Sequence, residues 1–158
     1  MSSIQLKDYL NEKNIKYINT YHPATYTAAE TAESAHIPGN QMAKTVIVKI
    51  DGKLAMVVLP AAEKIDFELL EGATGDSHIT LARENEFTDR FHDCETGAMP
   101  PLGNIYGMDV YVEEALSQDK TISFNACMHD QLISISYEDF INIVKPKIVR
   151  VSTDYAEH

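Results

Sequence analysis

Ala43-Lys44-Thr45-Val46-Ile47-Val48-Lys49-Ile50-Asp51-Gly52-Lys53-Leu54-Ala55-Met56-Val57-Val58-Leu59 is the stretch that decides the fold. Two apolar runs flank Asp51-Gly52, and Asp-Gly suits a type I′ turn because both central residues take positive φ. The segment is expected to be a hairpin, 43–50 against 53–59. Val46, Ile47, Val48, Val57 and Val58 are near-continuous rather than alternating. That pattern predicts strands buried on both faces and a hairpin central in its sheet.

On the amino-terminal side, Ile4, Leu6, Tyr9 and Leu10 sit near helical spacing over 3–14, with Ser3 as an N-cap. Residues 15–21 read as a strand ended by His22-Pro23. Thr27 and Glu30 form a capping box for a helix to about His36, stopped by Pro38-Gly39. On the carboxyl-terminal side, helices are expected over 66–71 and 84–91, and strands over 78–81, 109–112, 121–124 and 132–136. Ser136-Tyr137-Glu138-Asp139 caps a last helix to about Val144, ended by Pro146. Strands and helices mix without a regular βαβ rhythm. The expected class is mixed α/β, a strongly curved sheet flanked by helices rather than a doubly wound one.

At 158 residues and 44% hydrophobic, the chain fits a single domain, 1–158, with a real core. Met1 to Asp8 turns polar at once, unlike a signal peptide, and no apolar run reaches the ~18 residues of a spanning helix. With only Cys94 and Cys127, a disulfide framework is not expected and a reducing compartment is. These features predict a soluble cytoplasmic protein with no membrane partner. The formal charge of −11 disfavours DNA and any broad grip on a nucleic-acid backbone. It leaves room for contact with one end of an RNA through a local patch. Lys44, Lys49, Lys53 and Lys64 form one basic group, and Lys145, Lys147 and Arg150 another. There is no glycine-rich phosphate fingerprint after any strand and no Walker lysine motif, so nucleotide hydrolysis and dinucleotide chemistry have no support and no cofactor is expected.

Gly97-Ala98-Met99-Pro100-Pro101-Leu102-Gly103 reads as a rigid loop. A glycine lets a backbone N–H approach a ligand, and consecutive prolines fix φ. With Lys44 at the mouth of an apolar strand, the loop suggests a preformed pocket offering backbone donors and one ammonium to a carbonyl or phosphate. The plain alternatives are a strand-end lysine snorkelling to solvent and an ordinary tight connection. His92-x-Cys94 and Cys127-x-His129 are mirror-image pairs whose members share a face on extended backbone, a possible Cys₂His₂ zinc site. Their spacing is not that of a zinc finger, and two small buried hydrophobes is the simpler account, so no metal is expected.

The order Tyr21-His22-Pro23, Thr27-Ala28-Ala29-Glu30, Ala43-Lys44-Thr45-Val46, Val58-Leu59-Pro60, Gly97-x-x-Pro100-Pro101-Leu102-Gly103 and Phe124-Asn125-Ala126 resembles the YbaK/ProX family. These are stand-alone relatives of the editing domain inserted in bacterial prolyl-tRNA synthetase, and the resemblance runs over about residues 15 to 145. It implies a barrel-like mixed sheet flanked by helices. It also implies a trans-acting deacylase that hydrolyses the ester of a wrong amino acid on tRNA, most readily tRNA for proline. The partners implied are the aminoacyl-tRNA acceptor end and a synthetase.

The family's lysine maps onto Lys44 and its Gly-x-x-x-Pro loop onto Gly97 to Pro101. In that role N–H groups of Gly97, Ala98 or Met99 hold the carbonyl oxygen as it gains charge, one such donor being worth about 3 kcal/mol of barrier. Pro100, Pro101 and Gly103 complete the substrate loop. Lys44 would anchor the terminal phosphate or polarise the ester, with water activated with the help of the substrate's own ribose hydroxyl. Relatives carry glycine in place of Cys127 and a histidine two residues later, here His129. His129 would bond the amino acid's ammonium or carbonyl or orient the pocket, and the Cys127 side chain would narrow it. Tyr26, near His22, is expected as a pocket wall. A non-catalytic module that recognises an aminoacyl end or docks on a synthetase is the alternative. Alanine, cysteine, serine and threonine all remain open as the amino acid removed.

Overall fold

The computed structural model describes residues 3–23, 41–75, 78–92 and 94–154. In order these form α1 (Ser3–Glu12), β1 (Ile18–Tyr21), β2 (Ala43–Ile50), β3 (Lys53–Pro60), β4 (Glu63–Ile65), α2 (Phe67–Thr74), β5 (Ile79–Leu81) and α3 (Glu84–Phe87). After the glycine–proline loop come β6 (Asp109–Glu113), β7 (Thr121–Asn125), β8 (Gln131–Ser136), α4 (Tyr137–Val144), β9 (Lys147–Val149) and β10 (Ser152–Asp154).

The Asp51-Gly52 turn forms as its residues require, with φ of 51° and 79°. It sets β2 against β3 in one antiparallel register from Ala43↔Pro60 to Ile50↔Lys53. This hairpin lies inside a five-stranded sheet of order β5-β2-β3-β6-β9, in which β3–β6 and β6–β9 are parallel. A second, antiparallel sheet has the order β1-β8-β7, and β4 pairs with β10. The fold is mixed α/β. Its strands are shared among three sheets, and none closes on itself among the described residues.

The valine run is buried on both faces, as its pattern predicts. On one side Ile47, Met56, Val58, Val110 and Val112 pack with Ile122, Phe124, Ile133 and Ile135 of the three-stranded sheet, Leu6 and Leu10 of α1, and Phe140 of α4. On the other, Val48, Val57, Leu59 and Tyr111 meet Leu70 of α2 and Val151. Each such side chain contributes about 1.5–3 kcal/mol on burial. Met99 and Leu102 belong to the first cluster, so the core itself holds the glycine–proline loop in place.

Local chemistry fixes the ends of the elements. Asp66 accepts from the Glu68 and Leu69 amides to start α2, and Gly75 at φ 72° stops it, later than the expected 66–71. Ser136 accepts from the Asp139 amide to start α4. The expected helix 84–91 divides into α3 and a 3₁₀ turn, Thr88–Arg90. Ile15 does not open a strand: its N–H bonds to the Leu10 carbonyl past Asn14 at φ 57°, closing α1. The short strands β4, β9 and β10 were not expected. The last is held by buried Glu113, whose Oε1 accepts from the Val151 and Ser152 amides at 2.8 and 3.0 Å. The helix expected from Thr27 to His36 lies outside the described residues, as does Tyr26. Among the described residues no helix is long and apolar enough to cross a membrane.

Candidate active site

The loop is open at its glycine and anchored at its prolines: Gly97 is exposed, whereas Ala98, Met99, Pro100 and Pro101 are buried. Gly97 has φ 88°, which glycine adopts without a Cβ penalty. The Ala98 N–H donates to the Glu95 carbonyl at 3.0 Å, so the turn consumes it. Among the described residues the Gly97 N–H donates to the Met99 thioether, Sδ, at 3.2 Å. Sulfur is a weak acceptor that a ligand oxygen displaces readily.

Three hydrogen bonds lace this loop to the turn between β7 and β8. The Cys127 N–H donates to the Ala98 carbonyl at 3.0 Å, and the Glu95 N–H to the Cys127 carbonyl at 2.8 Å. His129, buried, donates from Nε2–H to the Thr96 carbonyl at 2.9 Å. A Cβ on Gly97 would rest 3.5 Å from His129 Cε1, so ring and glycine are direct neighbours. The Glu95 carboxylate lies 3.9 Å from the same Nε2, close enough to pair with a protonated ring.

A disulfide joins Cys94 to Cys127, their Cα atoms 4.2 Å apart. This corrects the expectation of two unpaired cysteines, since the loop lacing brings residues 33 apart in sequence side by side. It also removes the ground on which a reducing compartment was expected. The zinc arrangement is not adopted either. The sulfurs it needs are bonded to each other, while His92 is exposed and His129 turns its Nε2 to Thr96.

Lys44 enters from another direction. Met42, just before β2, forms a parallel bridge with Ser123 of β7, and the Ser123 N–H donates to the Gln41 carbonyl at 2.9 Å. Both strands leave this bridge in the same direction. Two residues on, the pleat places half-buried Lys44 and buried Asn125 on a common face. Asn125 Oδ1 has no hydrogen-bond partner among the described residues. His22 is a second buried polar group at this end. Its N–H donates to the Asp130 carbonyl at 3.0 Å and its Nδ1–H to the Pro23 carbonyl at 2.8 Å, leaving Nε2 without a partner among the described residues. Each such buried atom costs about 1–3 kcal/mol until a partner outside the described residues or a polar ligand meets it.

The structure therefore brings Gly97, Ala98 and Met99 together with Cys127 and His129, and sets Lys44 on the strand bridged to β7. It does not bring Gly103 to them. Gly103 is buried at the start of a 3₁₀ turn, Gly103–Ile105, where a Cβ would run into Val110 Cγ2 and come within 2.8 Å of the Met108 carbonyl. Its role is packing beneath β6. Of the first basic group, Lys49 is engaged elsewhere. Its Nζ bonds Glu86 Oε2 at 2.6 Å, which holds that carboxyl below its usual range. Asn125 lies in the motif Phe124-Asn125-Ala126, to which sequence reasoning attached no site role. Its signal is the second polar position of the alternating stretch Ile122-Ser123-Phe124-Asn125.

The fold is shared with solved structures. A protein described as a candidate trans-editing enzyme for prolyl tRNA synthetase superposes with TM-score 0.82 at 15% identity, covering 96% of both chains. The hypothetical protein APE2540 superposes with TM-score 0.83 at 19% identity, covering 94% of this chain and 99% of its own. In sequence, a proline–tRNA ligase of Thermosipho africanus (strain TCF52B) is 26% identical over 97 residues, 61% of this chain. The match spans only 17% of that ligase's length. Residues 22–143 match the model of the aminoacyl-tRNA editing domain, and the chain belongs to that family.

Proposed function

We propose that this chain, as one editing domain over 1–158, is a deacylase acting in trans on mischarged aminoacyl-tRNA, with tRNA for proline the favoured substrate. The observation that carries this is the Gly97 end of the loop. It is exposed, in a conformation glycine alone adopts freely, and braced on the Cys127–His129 turn before any substrate arrives. Donors fixed in advance are what a developing oxyanion needs.

In this mechanism water attacks the ester carbonyl carbon, and the oxygen that becomes negative is held by the Gly97 and Met99 amides. The Ala98 amide, spent on Glu95, is not a donor. Collapse of the tetrahedral intermediate expels the ribose oxygen, which takes a proton, and releases the amino acid from tRNA. Lys44 anchors the phosphate of the terminal adenosine. Asn125 Oδ1 accepts from the amino acid's ammonium, and His129 keeps Thr96 and hence Gly97 in position. Pro100 and Pro101 keep the loop stiff. Amino acids differing by one methylene are separated by only about 1–3 kcal/mol of binding, which is why a second sieve is useful. An acidic chain confines its grip to the acceptor end, with a synthetase as helper, and works in the cytoplasm where tRNA is charged. The prolyl assignment is supported by the ligase similarity.

The test is deacylation of tRNA(Pro) charged separately with Ala, Cys, Ser, Thr and Pro, by wild type and Lys44→Ala. Release of a non-proline amino acid, lost in the variant, is the expected result. No release from any member by folded protein would overturn it, and retained affinity for the charged end would then favour a non-catalytic binding module.

A further inference from the structure

We propose that Cys94 and Cys127 form a redox-active pair, a site of thiol–disulfide exchange whose state fixes or releases the Gly97 loop. Its consequence for deacylation rests on the function proposed above; the exchange itself does not.

The cross-link joins the residue that enters the loop to the residue at the centre of its brace. Each of the three bracing hydrogen bonds has an end on Cys127 or two residues from it, and the other on residues 95–98. No change at the sulfurs leaves that lacing untouched. Cys127 also holds φ 70°, a left-handed conformation that a residue with a Cβ seldom keeps without external constraint. When the cross-link opens, Cys127 is free to return to negative φ, which swings its N–H away from the Ala98 carbonyl.

Access differs between the two sulfurs. Cys127 is fully buried, whereas Cys94 is partly exposed and lines a cavity of about 170 Å³ with His92, Thr96 and Met99. An incoming thiolate therefore reaches Cys94 first. The Tyr106 hydroxyl, 3.7 Å from Cys94 Sγ, is kept protonated by burial and remains a donor to that sulfur.

The reaction partner is a low-molecular-weight thiol–disulfide couple, for which glutathione is the probe. In closing, the Cys94 thiolate attacks one sulfur of oxidised glutathione and expels a glutathione thiolate. The Cys127 thiolate then attacks the Cys94 sulfur of the mixed disulfide and expels the second. The protein dithiol loses two electrons and two protons, and one glutathione disulfide becomes two thiols. Opening is the reverse.

The experiment equilibrates the whole protein in glutathione buffers from fully reduced to fully oxidised. Thiols are counted by alkylation and mass, and amide exchange is followed over 94–101 and 126–130. The expected result is a transition from two free thiols to none, with exchange in both segments at least tenfold faster in the reduced form and β2–β3 unchanged. Two alkylatable cysteines at every buffer ratio, or equal exchange in both forms, would overturn the proposal. Cys94→Ser is expected to exchange fast in every buffer. Cys94→Ala, which also removes the cross-link and leaves Cys127 with its Cβ, gives the same readout should the serine variant not fold. Deacylation is assayed on both forms separately. Absence of turnover in each counts against the deacylase alone, because thiol counts and exchange rates are read without it.

Discussion

Met42 and Ser123 form a parallel bridge through which the five-stranded sheet meets the three-stranded one. Lys44 and Asn125 each lie two residues beyond that bridge, on strands that leave it in the same direction. Lys44→Ala is accordingly expected to slow deacylation at least a hundredfold. Its side chain is only half-buried, so the loss of stability should stay within about 1 kcal/mol. Single-turnover hydrolysis and thermal unfolding of the same preparations check both numbers.

The loop's two glycines should separate function from packing. Gly97→Ala meets nothing closer than 3.5 Å but must hold φ 88°, costing about 1–2 kcal/mol while disturbing the donor geometry. Deacylation per folded molecule should fall tenfold or more. Gly103→Ala collides with Val110 and the Met108 carbonyl and should lose about 1–3 kcal/mol of stability. Its turnover per folded molecule should stay near wild type.

Glu113 predicts a stability defect without a catalytic one. Its carboxylate accepts from the Ala115, Val151 and Ser152 amides, and Glu113→Ala strands all three donors. At about 1.5–3 kcal/mol for a hydrogen bond to a charged group, the loss should exceed about 3 kcal/mol. Glu113→Gln, which keeps one acceptor oxygen, should lose less. Urea unfolding gives the ranking, and faster amide exchange at 147–154 locates the cause.

Alkaline pH should expose Tyr106. Burial raises its hydroxyl to about 12, against about 10 in an unfolded chain. The folded state thus retains a proton that the unfolded state gives up. The contribution is fully present below pH 10 and is lost as pH rises toward 12. Tyr137, shifted upward by the same cause, adds to the fall. Stability measured from pH 9 to 12 should drop less steeply for Tyr106→Phe than for wild type.

The parts of the fold legible in sequence are those specified locally. Asp51-Gly52 determines its own turn, the valines determine two-sided burial, and Ser136 caps the helix that follows it. The strands β4, β9 and β10 were hidden because three polar-flanked residues become a strand only when a distant partner arrives, as Thr153 does for Lys64. The same limit governed the site. Gly97 and Pro100 stood out as residues, and so did Lys44. That Ala98 spends its amide on Glu95, that Gly103 serves packing, and that Cys94 reaches Cys127 are facts of long-range apposition, which spacing along a chain does not encode.

The parallel pairing of β3 with β6 carries a cost during synthesis. The hairpin is complete once Pro60 has emerged, but the strand that covers the far edge of β3 ends only at Glu113. At roughly 5–20 residues per second, that edge stays unpaired for several seconds on the nascent chain. It belongs to Leu54-Ala55-Met56-Val57-Val58-Leu59, as aggregation-prone a segment as the chain contains. Before it is the middle of a sheet, β3 is an open edge on the nascent chain.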